Sequence, residues 1–216
     1  GVRARGTWGP APTSGVIRPG TVTAFAGPSG AGKSTLVACL LSDITPDAGQ
    51  IRLRAQASSR DDEGLALTDV DPTSWRSAIS WVPQSPTLVP GTILDNMGDL
   101  PQRDLDEAAR ATGFDAVLAT TPDGWNSTIG SGGVGLSVGQ RQRLALTRAL
   151  AARSQVVVLD EPTAHLDAVS EETVVRAIHA MREEGRTVIV IAHRNAIIEV
   201  ADTIIDVAHA DEEALA

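Results

Sequence analysis

Apolar residues in this chain fall into short blocks that are separated by turn-forming residues. Continuous blocks at Thr21–Ala26, Val156–Leu159 and Thr187–Ala192, rich in β-branched residues, predict strands that are buried on both faces. Two further strands are predicted at Ile51–Arg54 and Ile79–Pro83. A polar loop over residues 58–64 would form a hairpin tip, and a second loop is predicted over 120–135 because glycine, serine and threonine are frequent there.

Longer stretches of helix-forming residues lie between these blocks. Helices are predicted over Lys33–Ser42, over Asp104–Ala119 with a break at Gly113, from an N-cap at Ser137 to Ala152, and over Ala168–Glu184. Strands that alternate with helices predict an α/β fold with a mainly parallel sheet covered on both faces.

Composition narrows the possible functions. The 216 residues carry a formal net charge of −9, which argues against a protein that tracks the nucleic-acid backbone. The single cysteine, Cys39, lies in an apolar run and is interpreted as a small core residue. No apolar stretch approaches the roughly 20 residues that a membrane-spanning helix needs, and the chain does not begin with a signal-peptide pattern.

A glycine-rich segment follows the first predicted buried strand and opens a predicted helix. It matches the phosphate-binding pattern G-x-x-x-x-G-K-[ST] and consists of Gly27, Pro28, Ser29, Gly30, Ala31, Gly32, Lys33 and Ser34, followed by Thr35. Glycines let backbone N–H groups wrap around phosphate oxygens, and the start of a helix favours an anion. Lys33 would reach the β- and γ-phosphates, and the Ser34 hydroxyl would bind Mg²⁺. The pattern therefore predicts a nucleoside triphosphate site; the alternative is a glycine-rich turn with a solvated lysine.

Two carboxylates end the strand at residues 156–159. In doubly wound sheets, ligands bind at the carboxyl ends of the strands, so Asp160 and Glu161 are expected beside the phosphates. Asp160 would hold Mg²⁺, and Glu161 would act as the general base on the attacking water. The alternative is a pair of capping residues at a strand-to-helix turn.

Five ordered segments together resemble the ATPase domain of ABC transporters, and the resemblance covers nearly the whole chain. Residues 136–140 (Leu-Ser-Val-Gly-Gln) resemble the LSGGQ signature, in which Ser137, Gly139 and Gln140 would grip the γ-phosphate held by a partner domain. The same resemblance identifies Gln84 with the Q-loop glutamine, which senses Mg²⁺ and water, Asp167 with the D-loop aspartate, and His193 with the switch histidine. His165, His179 and His209 lack such a match and are interpreted as surface or packing residues.

Trp8 lies upstream of the phosphate-binding segment, about where the family has an aromatic residue that stacks on adenine. Stacking on a base is worth on the order of 1–3 kcal/mol. The alternative is a partly buried tryptophan in a loop.

Membership of this family would imply a P-loop NTPase fold with an N-terminal antiparallel β subdomain and a helical subdomain, at about residues 84–155, that carries the signature. The whole of 1–216 would be a single ATPase domain, and the transmembrane domain would lie outside this chain. ATP and Mg²⁺ would be the cofactors. The implied partners are a second ABC ATPase domain, in a homo- or heterodimer, and transmembrane domains, and no nucleic acid. The domain would lie at the cytoplasmic face of the inner membrane.

Residues 91–96 (Gly-Thr-Ile-Leu-Asp-Asn) resemble the exporter pattern G-T-I-x-x-N. The stretches 135–140 and 161–167 further resemble the CydD half of a heterodimeric bacterial exporter needed for cytochrome bd assembly, which implies export of a thiol such as cysteine or glutathione. Ser131 replaces an acidic residue common in exporters, Val138 replaces the first signature glycine, and Ala164 replaces the common D-loop serine.

Other interpretations stay open at this level. The chain could be an exporter domain for a lipid, drug or peptide. A soluble ABC protein that acts on DNA or ribosomes is less consistent, since residues 35–136 contain neither a heptad run nor the cysteines of a zinc module. A regulatory ATP-binding module that does not hydrolyse ATP is disfavoured by Glu161 and His193.

Overall fold

The structure is a computed structural model. It describes residues 2–4, 7–55, 63–164, 166, 168–192 and 195–209. At positions 3, 4, 7, 8, 168 and 169 only the backbone is described. The strands are β1 (Val2–Ala4), β2 (Thr7–Gly9), β3 (Val22–Ala26), β4 (Arg52–Leu53), β5 (Leu65–Ala66), β6 (Ile79–Val82), β7 (Gly91–Thr92), β8 (Thr128–Ile129), β9 (Val156–Asp160), β10 (Thr187–Ile191) and β11 (Thr203–Asp206). The α-helices are α1 (Lys33–Leu40), α2 (Pro72–Ser77), α3 (Gln102–Thr112), α4 (Asp115–Leu118), α5 (Val138–Ala151), α6 (Ala168–Glu183) and α7 (Asn195–Glu199).

A five-stranded sheet with the order β11-β3-β10-β9-β6 forms the centre of the fold. All four of its pairings are parallel, so the prediction of a mainly parallel sheet is confirmed. The three central strands are buried almost throughout, as their continuous apolar sequences predict.

Alternate residues of the strands feed two apolar clusters, one on each face of the sheet. Val158 and Ile189 pack on the face that carries α1, together with Val37 of that helix. Val157 and Val188 point to the opposite face, where they join a cluster to which α3, α5 and α6 all contribute. Because side chains alternate along a strand, a doubly covered sheet needs apolar residues at every position, and this explains the unbroken runs.

Helices α3, α4 and α5, which lie between β6 and β9 in the sequence, form a helical region. Helix α3 packs on both α5 and α6, and the rings of Phe114 and Trp125 lie 5.9 Å apart between their centroids. Helix α3 stops at Thr112 and Gly113 follows with φ +65°, so the predicted break is confirmed. No helix in the described ranges combines the length and apolarity needed to cross a membrane.

Several short elements differ from the sequence prediction. The stretch 120–135 is not loop throughout, because it contains β8, which pairs antiparallel with β7. Antiparallel pairs also join β1 to β2 and β4 to β5 in the N-terminal part, while most of the predicted hairpin tip lies outside the described residues. Helix α2 was not predicted. It begins at Pro72 after the N-cap Asp71, whose carboxylate accepts a hydrogen bond from the amide of Ser74.

Candidate ATP-binding site

The glycine-rich segment crosses from β3 to α1 as a tight loop, called the phosphate loop (residues 27–34) below. Gly27 has φ +148°, and a methyl group there would collide with the carbonyl oxygen of Val207. Gly32 has φ +94°, and a methyl group there would lie 2.8 Å from the nitrogen of Pro10. Glycine is therefore required by backbone shape and by the close approach of two neighbouring segments.

Lys33 turns back over this loop. Its Nζ donates hydrogen bonds to the carbonyl oxygens of Gly27 at 2.9 Å and Pro28 at 2.7 Å, and the residue is only 4% exposed. Burial lowers the pKa of the Lys33 amine below its ordinary value of 10.5, while the carboxylates of Glu161 and Asp160 act in the opposite direction. The lysine thus sits in the field of the predicted general base, Glu161, and of the predicted Mg²⁺ ligand, Asp160.

The amino-terminal end of α1 adds a second feature suited to an anion. Gly32 is its N-cap, and no side chain caps this end among the described residues. N–H groups at the start of a helix lack intrahelical partners and carry partial positive charge. Ser34 and Thr35 lie in this first turn, with Ser34 exposed.

The carboxyl end of β9 brings the acidic pair to the same edge of the sheet. Strand β6 pairs in parallel with β9, with Val82 opposite Leu159, so the residues that follow both strands emerge together. Gln84 Nε2 donates a hydrogen bond of 2.9 Å to Glu161 Oε2. Glu161 has φ +46°, a region that is uncommon for any residue other than glycine. One cluster of polar side chains therefore contains Gln84, Glu161, Asp160 and Lys33.

The signature segment lies at the start of α5. Ser137 is its N-cap: the serine Oγ accepts from the amide of Gln140 at 3.2 Å, and Gln140 Oε1 accepts from the amide of Ser137 at 2.8 Å. This reciprocal capping box confirms the predicted helix start. A cavity of about 310 Å³ beside it is lined mainly by Ser137, Gly139, Gln140, Arg143, Leu166 and Ser170.

Three predicted site residues cannot be placed. The backbone of Trp8 lies in β2, but its side chain lies outside what the structure describes, as do Asp167 and His193. The roles of these three residues remain predictions from the resemblance.

Two neighbours of the site were missed by the sequence interpretation. The imidazole Cε1 of exposed His209 would lie 3.5 Å from a Cβ on Gly30, so the segment after β11 reaches the phosphate loop. Arg143 reaches the cavity beside Ser137 and donates from Nη2 to Ser170 Oγ at 2.9 Å. No motif in the sequence predicted that His209 lies beside the phosphate loop. Arg143 follows the signature segment by three residues, so its place beside the site could have been predicted.

The fold and the phosphate loop define a P-loop NTPase of the α/β class. A family model described as ABC transporter matches residues 11–164, which is more than half of the chain. The chain therefore belongs to the ABC transporter family, and it is an ATPase domain of that family.

Three relatives illustrate the match. The ATP-dependent lipid A-core flippase of Burkholderia pseudomallei (strain 1710b) is 40% identical over 192 residues, which cover 88% of this chain and 30% of the flippase. A multidrug resistance ABC transporter ATP-binding and permease protein of Lactococcus lactis subsp. lactis (strain IL1403) is 37% identical over 192 residues, which cover 87% of this chain and 31% of that protein. The solved structure of a bacterial Atm1-family ABC exporter with ATP bound aligns with a TM-score of 0.77 and 32% identity, over 88% of this chain and 32% of that one. The chain thus spans about a third of the length of these relatives.

Proposed function

We propose that this chain is the ATP-hydrolysing motor domain of an ABC exporter, at the cytoplasmic face of a membrane. The proposal is carried by one observation: Lys33, Asp160, Glu161 and Gln84 meet at one edge of the sheet, beside the phosphate loop. Similarity to the exporter-type relatives supports the choice of exporter. Residues 1–216 would act as a single ATPase domain, with residues 84–155 as its helical subdomain.

In this proposal Lys33 exchanges partners when ATP binds. Its ammonium group leaves the carbonyl oxygens of Gly27 and Pro28 for the β- and γ-phosphates, where charge-assisted hydrogen bonds are stronger. Backbone N–H groups of the phosphate loop and of the first turn of α1 hold the remaining phosphate oxygens. Trp8 would stack on the adenine.

Glu161 acts as the general base. Its carboxylate is held by Gln84 Nε2, and at the start of catalysis it accepts the proton of the water that attacks the γ-phosphate. His193 would contact the γ-phosphate from the segment after β10.

The residues at this edge also fit Mg²⁺. The Ser34 hydroxyl, the Asp160 carboxylate and the Gln84 carboxamide supply oxygen, which is the ligand that Mg²⁺ prefers. Bound there, the ion would neutralise charge on the phosphate oxygens.

The site requires a second ABC ATPase domain to be complete. The capping box of Ser137 and Gln140 satisfies the start of α5 within the chain, and among the described residues no hydrogen bond joins it to the phosphate loop. In a head-to-tail pair, Ser137, Gly139 and Gln140 of one domain would face the γ-phosphate in the other, with Asp167 at the dimer interface.

For the cargo, we propose a thiol such as cysteine or glutathione, exported by a heterodimer like the one that contains CydD. The resemblance of stretches 135–140 and 161–167 supports this choice. A lipid or a drug is the second candidate, since a lipid A-core flippase and a multidrug resistance protein are 40% and 37% identical to this chain. Cargo contacts would lie in the transmembrane domains, outside this chain.

The variant Glu161→Gln tests the proposed site. Loss of the general base should lower ATP turnover by about 10³-fold. ATP binding should be retained, so that an ATP-bound pair of domains accumulates and is detected as a doubled mass by light scattering. Glu172→Gln, the same change at an exposed position of α6, is the matched control and should behave as the unchanged chain. Undiminished turnover by Glu161→Gln would refute Glu161 as the base.

A further inference from the structure

A buried arginine lies at the far end of the signature helix, α5. Arg186 is only 3% exposed. Its Nη1 donates a hydrogen bond to the carbonyl oxygen of Ala149 at 3.2 Å, and its Nη2 donates to that of Leu150 at 2.8 Å. Both carbonyls belong to the last turn of α5, where carbonyl groups lack partners within the helix and carry partial negative charge. The guanidinium therefore caps α5 at the end opposite Ser137.

The backbone of Arg186 is fixed independently of α5. Its amide donates to the carbonyl oxygen of Met181 at 3.0 Å, and the amide of Gly185 donates to that of Arg182 at 2.9 Å. Together with φ +76° at Gly185, these bonds form a Schellman motif that ends α6. Arg186 then leads directly into β10, which lies between β3 and β9 in the sheet. The side chain that caps α5 thus starts from the sheet that carries the ATP site.

Arginine suits this set of contacts better than any other residue. Glu184 adds a third partner, with its Oε2 2.6 Å from Nη2 of Arg186. The planar guanidinium can reach two successive carbonyl oxygens and a carboxylate at once, whereas lysine ends in a single nitrogen. A buried charge is costly unless it is paired and hydrogen-bonded. The contacts of Arg186 therefore hold its side chain, and with it the end of α5, in one arrangement.

The near half of α5 has its own contact with α6, because Arg143 donates from Nη2 to Ser170 Oγ at 2.9 Å. A rigid helix needs two fixed points to have a defined direction, and Arg186 supplies the second. With 14 residues α5 is about 21 Å long, so a tilt of about 3° shifts one end by about 1 Å relative to the other. A misplacement of about 1 Å can cost about 10²-fold in rate. Loss of the contacts at Arg186 is therefore expected to be felt at Ser137.

We propose that Arg186 is a positioning residue: by fixing the far end of α5 to β10, it sets where Ser137 meets the γ-phosphate held by the partner domain. This role rests on the proposed function. Among the described residues, no hydrogen bond joins Arg186 to the phosphate loop. Arg186 should therefore affect turnover and leave the ATP affinity of its own phosphate loop unchanged. A residue that only stabilises the fold would change the amount of folded protein and not the turnover of each folded site.

The test measures two quantities in the intact natural protein. The first is the affinity for a fluorescent ATP analogue, without Mg²⁺ so that no turnover occurs, and the second is ATP turnover per analogue-binding site, so that unfolded protein is not counted. Arg186→Met, which removes all three contacts, should lower turnover per site by at least about tenfold and leave the affinity unchanged within about twofold. Arg110→Met, the same change at an exposed arginine of α3, is the matched control and should keep both values.

Arg186→Lys keeps the charge and loses the fork, and it replaces the methionine variant if that protein fails to fold. It should lower turnover per site by about threefold or more, again with unchanged affinity. Turnover per site equal to that of the unsubstituted protein would overturn the positioning role, and so would an affinity that falls in parallel with turnover. If the unsubstituted protein itself shows no ATP turnover, the proposed function fails, and the role of Arg186 fails with it.

Discussion

The glycines of the phosphate loop and the glycine of the signature segment have different surroundings. At Gly27 a methyl group would collide with the carbonyl oxygen of Val207, so the fold itself excludes any side chain. At Gly139 a methyl group would meet Leu166 Cδ2 at 3.5 Å and Ser170 Oγ at 4.0 Å, which are ordinary contacts. The single chain does not need glycine at 139. The proposed role of Gly139 therefore rests on the contact with the partner domain and not on the fold of this chain.

The polar groups of the two regions differ in the same way. Lys33 is buried near Glu161 and Asp160, and burial lowers the pKa of its amine. Charged groups are therefore concentrated at the phosphate loop, where a bound triphosphate would change their partners. Ser137 and Gln140 satisfy each other across the first turn of α5. The phosphate loop is therefore suited to bind a ligand within this chain. The start of α5 is already capped and is free to contact another molecule.

The largest expected effect is the loss of folding stability in Gly27→Ala. Because the added methyl group meets backbone, and φ +148° disfavours alanine, the variant should lose about 3 kcal/mol of unfolding free energy. Urea denaturation followed by circular dichroism measures this loss. Gly98→Ala, at a glycine with φ +73° and no heavy atom within 4 Å of the added group, isolates the strain from the collision and should cost less. An unfolding free energy equal to that of the unsubstituted chain would contradict the account of the loop.

Gly139→Ala should separate stability from turnover. Alanine is the better helix former, so the unfolding free energy should stay the same or rise by a few tenths of a kcal/mol. Turnover should nevertheless fall by roughly 10²-fold, because the added methyl group would hold the partner's γ-phosphate away from the N–H groups at the start of α5, an effect on the scale of losing one preorganised donor. Steady-state ATPase assays and urea denaturation on the same preparation test this split. Full turnover with raised stability would remove the argument that Gly139 serves a partner.

The smallest effect is a pH dependence of ATP affinity at the phosphate loop. Burial favours the neutral amine of Lys33 in the free protein, whereas a bound triphosphate favours the ammonium form. Affinity should therefore be constant at neutral pH and fall, by at most about tenfold per pH unit, as pH rises through a pKa that lies below that of an ordinary lysine. Titration of a fluorescent ATP analogue measures it. Lys33→Arg keeps its charge at all these pH values, so whatever affinity it retains should not follow this curve.

Sequence patterns predicted the parts of the structure that are local or strongly apolar. The strand at Val156–Asp160 was visible because burial on both faces leaves an unbroken apolar run, and the start of α5 was visible because Ser137 and Gln140 form a local capping box. The phosphate loop was predicted from its glycines and Lys33.

The missed features depend on contacts between distant segments. Strands β7 and β8 have two residues each, too few for any periodicity, and exist because they pair with each other. The hydrogen bond from Gln84 to Glu161 joins residues 77 positions apart. The approach of His209 to Gly30 depends on β11 pairing with β3, and β11 was not predicted at all.

The most direct test of the central claim is an experimental structure of the Glu161→Gln protein with ATP and Mg²⁺. We expect the triphosphate on the phosphate loop, with Lys33 Nζ on the β- and γ-phosphates and the Ser137 hydroxyl of a second ATPase domain on the γ-phosphate. A nucleotide bound away from the loop, or a γ-phosphate that no second domain contacts, would contradict it.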